Sequence, residues 1–244
     1  MNKQNVNRLI TALGVSLIVF ALAIILPKLI IEGPVSRILT TQALEVGLSL
    51  IAILFLGRGK FAEYGFRRPL PGTISVSKLS HWFWPGLFAL VIGAAASIAL
   101  LIMGAAGNPI IRQLTMPQIL LLVVIFSSTI EEIFTRGFLQ GHLEPLSHIS
   151  LNLIFFRTTL PALISALFFA CMHFSLLFSG VDIATMIITL LFTFSLGLLA
   201  AHQRARTGSL IPAIGLHMLG NIGGILGGVI FSILKFAISG RLPG

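Results

Sequence analysis

The sequence predicts an all-α membrane protein, a polytopic bundle of about eight transmembrane helices around an intramembrane polar cavity. Three observations predict it. The chain is 56% hydrophobic and only 9% charged, against about 25% charged residues in soluble domains, and its mean hydropathy is +1.03. Several uncharged runs approach the ~20 residues that a helix needs to cross a bilayer. Lys and Arg collect between those runs. A net charge of +9 would point to nucleic acid in a soluble protein; here it follows the positive-inside distribution, and no nucleic-acid partner is expected. The expected partners are the bilayer and a peptide or protein.

Span 1 is expected over about 9–26, after Lys3 and Arg8. Ala21-Leu22-Ala23 has the look of a cleavage site, but the apolar run continues past it, which predicts an uncleaved span. Span 2 covers about 38–56 and holds Glu45, to which no chemistry is assigned; it is expected to pair across the bundle or to lie near an interface. The loop from 58 to 78 is the most basic, with Arg58, Lys60, Arg67, Arg68 and Lys78 against Glu63. Pro69 and Pro71 exclude a helix there. Trp82 and Trp84 mark an interface ahead of span 3, at about 83–104. Span 4 starts near Met116-Pro117, with Pro117 suited to a first helical turn, and runs to about residue 143. Span 5 covers about 161–179 and span 6 about 183–201. Span 7 starts near Ser209. The glycines at 223, 224, 227 and 228 open a last span, ending near Lys235, and allow close backbone approach. Nothing reads as a soluble domain. The chain is one transmembrane domain over 1–244, with N-terminal spans in 1–114, a core in 115–222 and a last span and tail in 223–244. An even span count and the loop charges predict both termini on the cytoplasmic side, of a plasma (inner) membrane if the chain is prokaryotic.

The most informative stretch is Ser127 to Gly137. Only seven residues in the chain are acidic, and Glu131 and Glu132 are adjacent within an apolar span. A carboxylate at bilayer depth costs roughly 2.5–3.5 kcal/mol on insertion scales, so an acid there implies a function or a partner. Glu132 and Arg136 stand four apart, on one helical face, and can pair. Glu131 is rotated by about 100° and is left as the free carboxylate.

Two other spans carry polar groups at helical spacing: Phe169 and His173 on span 5, His217 and Asn221 on span 7. Glu131 and His173 each lie twelve residues from a basic-side span end, at about 18 Å, with His217 at about 12 Å. A carboxylate and an imidazole at one depth, with an amide and a second imidazole nearby, are what water-driven amide hydrolysis needs. His81, His142, His148 and His202 lie near span ends and read as interfacial. Cys171, the single cysteine, excludes an intrachain disulfide; two residues from His173 and so on another face, it reads as a small buried hydrophobe.

The series Glu131-Glu132-x-x-x-Arg136, Phe169-x-x-x-His173 and His217-x-x-x-Asn221 resembles the three motifs of the CPBP (Abi) family of intramembrane proteases. That family includes type II CAAX prenyl endopeptidases and bacteriocin-processing or immunity proteins. The lead-in from Arg206 to Leu210 fits as well. The resemblance covers about 115–222; before it, only hydropathy and the Gly65-Phe66-Arg67-Arg68-Pro69 loop are similar. It implies that Glu131 and His173 activate the attacking water, that Glu132 and Arg136 orient that pair, and that His217 and Asn221 stabilise the oxyanion. It also implies a glutamate-type peptidase without a cofactor. No His-Glu-x-x-His zinc helix is present, while Glu131, His173 and His217 stand as an alternative zinc triad. A bacteriocin immunity protein acting by binding and a proton-coupled transporter are the rival readings, the latter because Glu, His and Arg in spans also build proton relays. No serine-nucleophile motif supports a rhomboid-type protease, and Asp182 as the only Asp excludes an aspartyl pair.

Overall fold

The computed structural model describes residues 2–73, 80–105, 108–153 and 157–239, with the side chains of Ser80 and His81 left out. Lys78 and the expected interfacial position of the His81 side chain lie outside the described residues. Among those residues the fold is a helical bundle with one short hairpin. Seven helices are long and apolar enough to cross a membrane. They are α1 (Lys3–Ile30), α2 (Pro34–Leu56), α3 (Ser80–Ile102), α4 (Met116–Leu146), α5 (Leu160–Met172, continued as a tighter 3-10 turn over His173–Ser179), α6 (Ile183–Thr207) and α7 (Leu210–Ser239). The hairpin pairs β1 (Ser150–Asn152) with β2 (Arg157–Thr159) between α4 and α5.

The helix starts follow local chemistry. Asn2 caps α1 by accepting from the Asn5 amide at 2.9 Å. Thr115 and Gln118 form a reciprocal capping box at the start of α4, and Pro117 sits in the first turn as its sequence position predicts. Asp182 caps α6 through the Thr185 amide at 2.8 Å. Gly208 ends α6 with a φ of 65°, a left-handed conformation that glycine adopts without penalty.

The eighth span is corrected. Residues 210–239 form one uninterrupted helix, so the glycines do not open a new span, and the expected 222/223 division falls inside α7. Their packing role holds. Gly223 meets the Leu90 carbonyl and Gly227 the Ala94 carbonyl of α3, with no room for a Cβ. The glycines therefore set a backbone-to-backbone contact between two helices. The same-side placement of the termini rested on an even count, which seven helices of spanning length do not supply.

The basic loop is held against the α6–α7 turn. Arg67 Nε donates to the Gly208 carbonyl at 3.0 Å, Ser209 Oγ donates to the Arg67 carbonyl at 2.6 Å, and the Leu70 amide donates to the Thr207 carbonyl at 2.9 Å. The Leu210 amide donates back to the Gly65 carbonyl at 3.0 Å. Tyr64, at the end of the Phe61–Tyr64 turn, places its hydroxyl 3.1 Å from His142 Nδ1. Burial pushes the Tyr64 pKa above its ordinary value, with Arg8 opposing and Glu63 adding to the rise. His142 is thus buried under this loop rather than interfacial. Cys171 is also corrected: it is exposed on the outer surface of α5, not buried.

Reporter fusions test the crossing number. A reporter beyond Ser239 is expected on the same side as one in the turn at Gly180, and opposite one at the N-terminus. A C-terminal reporter on the N-terminal side would restore an eighth crossing.

Candidate active site

The acidic pair of α4 sits on a helix that is not uniformly α. Ile119–Ser127 and Ile133–Leu139 are wound as π-helix, and Ser128–Glu132 between them is α. π-winding is rare and frequent at functional sites. It breaks the regular carbonyl ladder, and polar side chains make up the difference. Gln42 of α2 donates to the Leu122 carbonyl at 2.9 Å and to Ser127 Oγ at 2.7 Å. Thr135 Oγ1 donates to the Glu131 carbonyl at 2.6 Å, and Ser165 of α5 donates to the Thr135 carbonyl at 2.9 Å.

Glu132 and Arg136 pair at 3.0 Å, as their spacing predicts, with both side chains fully buried. The guanidinium is held by three helices. Nη1 also donates to Thr135 Oγ1 at 2.6 Å, Nη2 donates to the Gly197 carbonyl of α6 at 2.9 Å, and the charge lies 4.5 Å over the Phe169 ring of α5. Gly197 makes this fit: a Cβ there would come 2.8 Å from Nη2 and 3.0 Å from Phe169. The sequence held no signal for Gly197 beyond a glycine inside an apolar span.

Phe169, buried completely, is the shared wall of the site. Its ring meets His173 at 5.1 Å and His217 at 5.3 Å, both edge to face. His173 stands where α5 tightens into 3-10 winding. Its Nδ1 is 2.9 Å from the Phe169 carbonyl. A carbonyl only accepts, so Nδ1 carries the proton and neutral His173 has its lone pair on Nε2. His217 places Nδ1 2.9 Å from Glu132 Oε1, and Nε2 3.8 Å from Glu131 Oε2. Both imidazoles thus share the Phe169 wall, but the one beside Glu131 is His217 rather than His173.

Asn221 binds α7 to α4. Its Nδ2 donates to Ser128 Oγ at 3.0 Å and to the Val123 carbonyl at 3.3 Å. Glu131 keeps about a quarter of its side chain accessible, in contrast to the sealed Glu132. Glu45 forms no ion pair among the described residues. It is buried on α2, with Oε1 lacking a hydrogen-bond partner, and near enough to Glu131 for the two groups to interact. Its signal in the sequence was being the single acid in span 2.

Among the described residues no three His, Cys, Asp or Glu side chains group as a metal site. Glu131 and His217 approach each other; Nδ1 of His173 is engaged by a carbonyl and Nδ1 of His217 by Glu132, an arrangement that leaves Nε2 of each ring as its second polar atom.

Arg136→Ala should leave Glu132 buried without its cation and cost on the order of 3–5 kcal/mol. Thermal unfolding in detergent should therefore fall clearly below wild type. A wild-type melting temperature would mean that the pair carries little of the stability of the bundle.

Residues 113–223 match the family model described as type II CAAX prenyl endopeptidase Rce1-like. The match spans all three motif helices, α4, α5 and the first half of α7, and it points to a protease. No curated protein and no solved structure matched the chain.

Proposed function

We propose, from the Rce1-like, CAAX-protease-like domain that the chain carries at residues 113–223, that the protein is an intramembrane endopeptidase. It hydrolyses a peptide bond in a membrane-associated or lipidated peptide or protein, with water activated by Glu131 and His173 and without a metal. The observation that carries this reading is convergence. Arg136, His173 and His217, one from each motif, contact the ring of Phe169 at 4.5 to 5.3 Å, and Glu131 adjoins His217.

Glu131 is the accessible acid of the pair and accepts a proton from water as the water oxygen attacks the scissile carbonyl. His173 offers Nε2 as a second proton acceptor, its tautomer fixed by the Phe169 carbonyl. The C–N bond then breaks, and the proton passes to the leaving amine. Glu132 and Arg136 orient the site through His217. With Nδ1 of His217 donating to Glu132, Nε2 can donate to an oxyanion only when the ring carries both protons. Asn221 donates to the same oxyanion by releasing Ser128 or Val123. The N-terminus and the basic loops face the cytoplasm in this reading, which follows the loop charges.

Glu131→Gln should abolish cleavage while leaving the fold intact, and comparing membrane proteomes of wild type and this variant should reveal the substrate. Asn221→Ala should lower kcat by about 10²–10³, the typical loss of one oxyanion donor, with little change in KM. An undiminished kcat in either variant overturns the assigned roles.

Elemental analysis of active, chelator-treated protein tests the metal. The expected result is activity without stoichiometric zinc. One zinc per chain, lost together with activity and restored with it, would instead assign Glu131, His173 and His217 as ligands.

A further inference from the structure

A second polar cluster lies at the basic-loop end of the bundle, between the hairpin and the end of α6. It lines a cavity of about 480 Å³ with Arg157, Arg206, His148 and His202, the hydroxyls of Ser150 and Thr158, and no Asp or Glu. Glu144, the acid nearby in sequence, is already paired with Arg204 at 3.0 Å. The cavity therefore offers cations and hydroxyl donors without a competing carboxylate, which is the chemistry of an anion site.

One of its lining residues has an unpartnered hydroxyl. Thr158 is only 3% exposed, and its Oγ1 has no hydrogen-bond partner among the described residues. Buried hydroxyls are ordinarily paired. Arg157 is partly preorganised beside it, with Nε donating to Ser150 Oγ at 2.9 Å and Nη2 donating to the same oxygen. His148 has its Nδ1 at the Pro145 carbonyl, 3.0 Å away, so its proton is there and Nε2 becomes a donor only in the cationic ring.

A second, apolar groove adjoins the cavity at His202. His202 also lines a separate groove of about 270 Å³, whose other walls are Phe88 of α3 and Phe194, Ser195, Leu198 and Leu199 of α6. These α6 positions lie on a different face from Gly197, which holds Arg136. The groove runs from Phe194 to His202, about 12 Å along the helix, and Phe88 is half exposed at its edge. A free anion has no use for such an extension, whereas a lipid does: basic pockets between transmembrane helices bind anionic headgroups.

We propose that cavity and groove form one site for an anionic phospholipid, with the phosphate among Arg157, Arg206 and Thr158 and an acyl chain along the Phe194–Leu199 face of α6. The site is separate from the three motifs and does not depend on the protease reading.

The test uses the full chain in neutral detergent. Native mass spectrometry and thermal unfolding are followed with dioleoyl phosphatidylglycerol, dioleoyl phosphatidylcholine and inorganic phosphate. The glycerol lipid should be retained and should raise the unfolding temperature, while phosphatidylcholine and millimolar phosphate should not. Arg157→Gln, at an exposed side chain, should weaken retention roughly fivefold, and Arg157→Gln with Arg206→Gln about thirtyfold, from the usual contribution of a cation near an anionic lipid. Ser195→Phe should weaken it by filling the groove. If the double variant does not fold, Arg157→Gln alone carries the test. Equal retention of the two lipids, or wild-type retention by Arg157→Gln, overturns the proposal. Stabilisation by phosphate alone, unaffected by Ser195→Phe, overturns it in favour of a soluble-anion site.

Discussion

The buried ion pair of Glu132 and Arg136 is the constraint around which the bundle is arranged. Two charges removed from water are costly, and their mutual attraction offsets the cost only when further polar partners complete the geometry. The chain supplies them from every side: Thr135 on the same helix, the Gly197 carbonyl from α6, the Phe169 face from α5 and the His217 ring from α7. The last three each tie one neighbouring helix to α4. The polar centre therefore acts as a packing template, in a setting where apolar side chains gain little by exchanging lipid contacts for protein contacts.

The same economy explains the winding of α4. A helix with two π-wound stretches leaves carbonyls short of partners, which is tolerable inside a membrane only where other polar groups reach them. Gln42, Thr135 and Ser165 do so from three different helices. The irregular winding and the polar residues of α2 and α5 meet at these carbonyls.

Much of this arrangement was legible in the sequence, and the rest was hidden for physical reasons. Hydropathy located the helices, and i, i+4 spacing identified the Glu132–Arg136 pair, because both signals are local. Spacing placed Glu131 and His173 at one depth with His217 nearby, but depth ignores rotation about the helix axis, so the approach of His217 to both acids could not be read from it. The role of Gly197 is a property of the space between helices, which no single span records. The glycines of 223–228 were read as opening a last span that allows close backbone approach; the approach is there, but the same residues continue one helix.

That neighbour has a consequence for what can move. Helices that touch through their backbones have no intervening side chains to repack, which couples α3 to α7 more tightly than a side-chain interface would. His217 and Asn221 lie on that paired unit. The contrast is with α5, whose α-helical winding ends at His173 and continues as a tighter 3-10 turn down to Ser179.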